Sequence, residues 1–341
     1  MNKILAGDIG GTKTNLALFT VVENSLVLQS QHQYASQSFS SFTDILVDFK
    51  SHFVKTPIDA VCLGVAGPVI NGRCYTTNLP WEITTSEVQK QFNTMAVRLL
   101  NDLEATAYGM LMLREDEFVE LNPMGKRVHG NRAVIAAGTG LGEAILFWDG
   151  DSYHPIGTEG GHSDFAPCTA QQDELLQWLR HRYPEHVSFE RILSGPGITA
   201  LYEFLYESGF ALQPSAMMQI SEGMDRSALI SECALTHKDP LCMETLRLFG
   251  EIYGAEAGNL ALKSMSLGGV YIGGGIAPKI FSAISFDNTF MKAFVKKGRF
   301  EKMLQEMSVQ ISLNPETALL GAAHFAFDRL SKGKETEMKS T

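Results

Sequence analysis

Twice in this chain an apolar run breaks at a cluster of glycines and then resumes as a second apolar run. Residues 3–6 lead into Gly7-Asp8-Ile9-Gly10-Gly11-Thr12-Lys13, and residues 15–22 (NLALFTVV) follow. Residues 133–137 (AVIAA) lead into Gly138-Thr139-Gly140-Leu141-Gly142, and residues 143–148 (EAILFW) follow. Both flanks are rich in apolar and β-branched residues and carry no helix cap, which predicts strand–turn–strand each time. The first stretch is spelled almost as a P-loop but lacks the second glycine that should precede Lys-Thr. A P-loop also opens a helix, whose N-terminus helps hold the anion, whereas this turn returns into a strand. The second stretch is Gly-x-Gly-x-Gly rather than the dinucleotide spelling, and again no helix follows. Two glycine hairpins remain, and the backbone amides of such turns can form an anion-binding concavity. One in each half of a 341-residue chain, they read as a duplicated architecture with room for two domain cores.

The remaining pattern fits that frame. Residues 25–31 predict a third strand. Residues 41–53 place Phe42, Ile45, Leu46, Phe49 and Phe53 on one helical stripe. Residues 59–65 read as a buried strand and 97–100 as a strand, residues 104–113 and much of 239–266 as helix. A third glycine run, ending in Gly273-Gly274-Gly275, reads as strand then turn. The polar, charged tail 333–341 predicts disorder. Apolar residues make up 45% of the chain, enough for sizeable cores, and the formal charge of −10 argues against nucleic acid polymers and anionic membranes as partners. A nucleotide stays compatible with that charge if backbone amides and magnesium carry the phosphates. The five scattered cysteines contain no CxxC pair, which argues against a zinc ribbon or disulfide scaffold and for reduced thiols. No run approaches the ~20 apolar residues of a membrane span and no signal-like run opens the chain, so the expected location is cytoplasmic.

The segments GDIGGTKTNLALF, GVAGPV, TTNLPW, LNDLEA, AAGTGLGEA, GTEGGHSDFAP, SFERILSGPG, GNLAL, GGVYIGGGIAP and NPETALLGAAH occur in that order. In this the chain resembles the bacterial glucokinases of the sugar kinase, actin and heat-shock ATPase superfamily, of the type without the ROK-family zinc site. The resemblance runs from Ala6 to about residue 325. It implies a two-domain α/β fold of actin-like (ribonuclease H-like) architecture, with nucleotide and sugar in a cleft between the domains. The domains are expected at 1–110, completed by a helix at about 316–332, and at 111–315.

By resemblance Asp8 acts through magnesium and its waters, and Gly10, Gly11, Thr12 and Lys13 approach the β- and γ-phosphates. Gly138, Thr139 and Gly140 hold phosphate from the other side, and Gly273, Gly274 and Gly275 pass close to adenosine. Relatives often carry a basic residue two positions after Lys13, where this chain has Asn15. The resemblance makes Asp102 the general base and puts Asn78, Asn101, Glu159, His162 and Glu190 on glucose. Locally, other readings stand beside these. Asp102 is also placed to cap the following helix, and Glu190 is also an acid in a helix's first turn, favoured by the dipole. His154, His162, Asp164 and Cys168 could be read as a metal site, but the cysteines of a closed zinc site are absent, so no zinc is expected.

These residues imply transfer of phosphate from ATP, with Mg²⁺, to the 6-hydroxyl of D-glucose as the opening step of glycolysis. A kinase for another hexose or amino sugar shares the chemistry. A sugar-responsive repressor would need a DNA-binding extension before Ala6. An actin-like ATP-binding filament protein would have no use for Asn, Asp, Glu and His gathered around a sugar. Relatives are often homodimers, though no interface is visible in the sequence.

Overall fold

Strands β1 (Lys3–Ile9) and β2 (Lys13–Val22) pair antiparallel around the first glycine turn, with Asp8 opposite Asn15. The computed structural model describes residues 2–23, 25–76, 79–218 and 223–339. In β1 alternate side chains serve opposite faces of the sheet. Leu5 and Ile9 join one apolar cluster, Ile4 and Ala6 another. Strand β3 (Ser25–Ala35) extends four residues beyond the expected end, because Ser36 ties its far end to the glycine turn: its N–H donates to the Thr12 carbonyl at 3.0 Å. Helix α1 (Phe42–Phe53) starts at a Ser41–Asp44 capping box and buries Phe42, Ile45, Leu46 and Phe49 of the predicted stripe, while Phe53 at its end is half-buried. Strand β4 (Ala60–Val65) is buried throughout. A small sheet of β5 (Val69–Ile70), β6 (Arg73–Tyr75) and β7 (Glu82–Thr84) precedes α2 (Thr85–Phe92), β8 (Val97–Asn101) and α3 (Asp102–Met110). The main sheet has the order β3-β2-β1-β4-β8, with β1, β4 and β8 parallel.

The second sheet has the order β12-β11-β10-β13-β14-β9, where β9 is Phe118–Glu120, β10 Arg132–Ala137, β11 Leu141–Trp148 and β12 Tyr153–Thr158. Helices α4 (Ala170–Arg182), α5 (Gly195–Glu207), α6 (Ser215–Met218), α7 (Arg226–Leu235) and α8 (Pro240–Ser264) follow. Then come β13 (Gly269–Gly273), α9 (Phe281–Ser285), α10 (Thr289–Val295), α11 (Glu301–Gln305), β14 (Val309–Ser312) and α12 (Thr317–Lys339). Helix α8 is buried along most of its length, and Tyr253 in its middle brackets β10: its hydroxyl accepts from the Ala137 N–H and donates to the Ile135 carbonyl.

Two compact units result, residues 1–115 with 314–341 and residues 116–313. The break falls after Glu115 and not at 110. The chain commits to the second sheet only at β9, whose pairing with β14 is a long-range event that local pattern does not reveal. Helix α12 runs through Lys339, so the tail expected to be disordered continues the helix as far as the described residues go. Among those residues no helix is long and apolar enough to cross a membrane.

Helix α12 returns to the first unit and crosses α3 backbone against backbone. A Cβ added to Gly321 would fall 1.8 Å from the Ala105 carbonyl oxygen, and one on Gly109 1.9 Å from that of Thr317. No rotamer relieves a clash at Cβ. Gly321→Val is therefore expected to lower stability by at least the ~1–3 kcal/mol typical of overpacking, read as a drop in Tm. An unchanged Tm would show that the helices can part without cost.

Candidate active site

In the first unit the candidate residues gather at the carboxyl ends of the parallel strands, where open α/β sheets bind ligands. Asp8 stands near the end of β1, opposite Gly64 of β4, and Asn101 ends β8, opposite Val65. The first turn is closed by a bond from the Gly10 N–H to the Lys13 carbonyl at 2.9 Å. Buried Ser36, which sequence reasoning missed, braces it from beneath: its hydroxyl donates to the Gly10 carbonyl at 2.8 Å and lies 3.0 Å from the Thr14 hydroxyl. Gly10 and Gly11 are half-buried, whereas Thr12 and Lys13 are exposed. Burial pushes the Asp8 carboxyl up to about 6, against a hydrogen bond from Asn15 that pulls it down. Gln33 in turn donates to Asn15 Oδ1 at 3.2 Å. A half-buried carboxylate with one neutral donor fits Mg²⁺, which is commonly held by one or two carboxylates, phosphate oxygens and waters.

The helix cap is Asn101, not Asp102. Its Oδ1 accepts from the Leu103 N–H at 2.9 Å, its own N–H donates to Glu104 at 3.0 Å, and its Nδ2 donates to the Gly67 carbonyl at 3.2 Å. The local alternative for Asp102 therefore falls to its neighbour. Asp102 occupies the first helical position, where Oδ1 accepts from the Leu103 N–H at 2.9 Å. It lies close to Cys74, whose thiol is pushed up to about 11 by burial and then by the Asp102 charge. Asn78 lies outside the described residues. Trp81 is a core residue, 4% exposed.

In the second unit one cluster collects the rest. The turn after β10 is closed from the Gly138 N–H to the Gly140 carbonyl at 2.8 Å, and the N–H of Gly195 at the start of α5 donates to the Gly138 carbonyl at 2.9 Å. Gly274, at φ +79°, lies against the Ala137 backbone, where a Cβ would sit 2.2 Å from the carbonyl oxygen. Only glycine meets both demands. Gly275 and Thr139 are exposed beside it, and Gly273 ends β13 buried. The Glu159-to-His162 turn packs on the same strand pair: a Cβ on Gly161 would fall 2.0 Å from the Leu141 carbonyl oxygen. Glu190 joins the pieces. Its Oε2 accepts from the Leu141 N–H at 3.0 Å, and its Oε1 is 4.0 Å from His162 Nδ1. Phe189–Arg191 is a single 3-10 turn and Ser188 makes no side-chain cap bond, so the helix-dipole alternative for Glu190 has no helix to act on. Glu159 and His162 are both exposed.

The four residues of the rival metal reading are not brought together as one cluster. His154 bonds Asp149 at 2.6 Å and His186 pairs with Asp164 at 3.0 Å. Among the described residues no group of three or more His, Cys, Asp or Glu could hold a metal ion.

Beneath the sugar-side turn lies a feature with no local signature. Glu143 and Glu256 are buried together, 1% and 0% exposed, with Glu143 Oε2 directly under Gly160. Burial first, and the Glu256 carboxyl second, push Glu143 up to about 8, so near neutral pH it keeps a proton that it can donate to its partner. Glu256 accepts from Asn259 at 2.8 Å and faces Lys263 at 3.4 Å. The folded chain thus holds a proton that the unfolded chain releases above its ordinary value of 4.5. This contribution makes stability fall as pH rises from about 4.5 to about 8 and then level off. Glu143→Gln should remove that slope while leaving Tm near pH 5 almost unchanged, in melting curves taken from pH 5 to 9. A parallel pH profile in the two proteins would mean that Glu143 is ionised in the fold.

Residues 5–329 match the family model described as glucokinase. A glucokinase of Trichormus variabilis is 38% identical over 339 residues, covering 95% of this chain and 98% of that protein. The crystal structure of a glucokinase from an Antarctic psychrotroph superposes with a TM-score of 0.82 at 32% identity, covering 96% of this chain and 99% of that one. A ROK family glucokinase from Streptomyces griseus, in complex with glucose and AMPPNP, shares the mixed α/β fold at a TM-score of 0.66 and 19% identity, over 95% of this chain and 99% of that one.

Proposed function

The chain belongs to the glucokinase family, and we propose that it transfers the γ-phosphoryl group of ATP to the 6-hydroxyl of D-glucose through the residues described above. The observation that carries the assignment is the division of labour at the end of β8. Asn101 caps the helix, so Asp102 is not needed for that task, and it stands just after β8 at the same carboxyl end of the parallel strands as Asp8, with β4 between them. A sugar hydroxyl is a weak nucleophile, and an acceptor within hydrogen-bond reach removes its proton as the phosphoryl group arrives. The O6–phosphorus bond forms, the bond to the β-phosphate oxygen breaks, ADP leaves, and the proton passes to Asp102.

The two glycine turns offer backbone N–H groups to the phosphates, held rigid by Ser36 in one unit and by Gly195 and Glu190 in the other. Mg²⁺, when bound with ATP, supplies charge neutralisation for the β- and γ-phosphates. Asp8 is the carboxylate that would hold it. Glu159, His162 and Glu190 orient the sugar hydroxyls, carboxylates accepting and the imidazole donating or accepting.

A coupled assay with glucose and Mg·ATP tests the reading. Formation of glucose 6-phosphate and ADP in equal amounts is expected, with loss of turnover on chelation by EDTA. A sugar panel in which mannose, fructose or N-acetylglucosamine exceeds glucose in kcat/KM would move the substrate assignment while keeping the chemistry.

A further inference from the structure

We propose that the second unit carries an effector site for a small organic anion bearing a phosphate or carboxylate, in a cavity walled by α4, α8 and α10. The cavity measures about 250 Å³. This lies just below the ~300–1,000 Å³ usual for ligand pockets, and so suits a metabolite of three or four carbons rather than a nucleotide. Its wall carries four cations, Arg247, Lys292, Lys296 and Lys297, against the carboxylates of Glu251 and Asp287. That is a local positive excess on a chain of net charge −10.

A buried donor in the same wall lacks an acceptor. Gln172 is 1% exposed, and its Oε1 accepts from the Cys168 N–H at 2.8 Å, but its Nε2 has no hydrogen-bond partner. An unpaired buried amide is costly; Nε2 is closed off from the cavity in this rotamer, and a ligand oxygen satisfies it once the side chain turns toward the cavity. The cations are unequally engaged. Arg247 is held by Glu244, Glu251 and Gln171, and Lys292 pairs with Asp287 at 2.9 Å. The exposed Lys296 side chain has no partner among the described residues. Lys297 spends two of its three donors on the Ala255 carbonyl and on Asn259 Oδ1, and burial pulls its pKa down. An anion alongside would stabilise its charged form.

The cavity also connects with the sugar-side turn inside the same unit. Lys297 donates to Asn259 at 2.6 Å, Asn259 donates to Glu256 at 2.8 Å, and Glu256 shares its pocket with Glu143, which lies under Gly160. On the other side, Gln172 fixes Cys168, the end of the segment that begins at His162 and is bonded backbone to backbone to residues 187–189 ahead of Glu190. A ligand that recruits Lys297 and the Gln172 amide therefore acts on both supports of Glu159, His162 and Glu190.

Calorimetric titration of the ATP-free protein with inorganic phosphate, 3-phosphoglycerate and malonate tests the site without using the kinase activity. Its failure and failure of the catalytic reading are thus separable. Saturable binding by at least one probe is expected, surviving saturation with glucose and ATP, and weakened about tenfold or more by Lys296→Glu. Lys296 is exposed and takes no part in the catalytic machinery, so the variant should fold and keep its basal turnover. Preference for phosphate and 3-phosphoglycerate over malonate identifies a phosphate site, and the reverse a carboxylate site. In the coupled assay a saturating probe should shift the glucose KM about fivefold or more in the parent protein only. No saturable binding, binding that ATP displaces, or binding untouched by Lys296→Glu would overturn the site. A glucose KM that stays fixed under a bound probe would overturn its effector role.

Discussion

Asp102→Ala lowers kcat for glucose phosphorylation by about 10²-fold or more and leaves Tm within about a degree of the parent protein, on the magnitudes typical of general-base removal and of unaltered caps. The pairing of these two outcomes is what the structure adds. Were Asp102 the helix cap, its loss would cost stability of about 0.5–2 kcal/mol, and lost activity could be blamed on a frayed α3. The cap is Asn101, which keeps its bonds to Leu103, Glu104 and Gly67 when Asp102 is shortened. Asn101→Ala is the matching control, expected to lower Tm by the amount of a lost cap. The measurement is steady-state kinetics on both variants beside their melting curves. Near-normal turnover in a folded Asp102→Ala protein would remove Asp102 from the mechanism.

The turns around Gly10 and Gly138 were legible because glycine spacing between apolar runs is a local signal, and backbone conformation there is set locally. The stripe of α1 was legible for the same reason, a 3.6-residue period over a single helix. The identity of the cap was also present in the sequence, as Asn101 with Glu104 three residues on is the spacing of a capping box. Asp102 beside it is as good a cap by residue type, so the local pattern alone does not choose between them. What could not be read is what depends on distant partners. Ser36 supports a turn about twenty-five residues earlier in the chain, and Glu256 is buried with Glu143, over a hundred residues earlier in the chain. The Gly109 and Gly321 crossing joins the two ends of the first unit, and either glycine alone looks like an unremarked small residue in a helix. The break after Glu115 depends on β9 finding β14, a pairing made across nearly the whole second unit. Sequence pattern reports the period of an element well and its partner poorly.

Glu190→Gln is expected to raise the glucose KM by roughly 10- to 150-fold while the ATP KM and Tm change little, the range of about 1.5–3 kcal/mol for a hydrogen bond to a charged group. Two contacts of this side chain have to be separated to justify that. One oxygen anchors the Leu141 N–H beside the Gly140 turn, and the other faces His162 across 4.0 Å. Glutamine has the same shape, and its amide oxygen can go on accepting from Leu141, so the phosphate-side turn stays in place. What it loses is the charge and the second acceptor that face the sugar. Glu190→Ala loses both contacts, so it should raise the ATP KM as well. The two variants, with glucose and ATP titrated separately, thus resolve sugar recognition from turn support. If Glu190→Gln leaves the glucose KM alone while Glu190→Ala raises that for ATP, the residue is a clamp on the turn and no sugar ligand. If Glu190→Gln raises both KM values equally, the anchor depends on charge, and the separation of the two oxygens argued here is wrong.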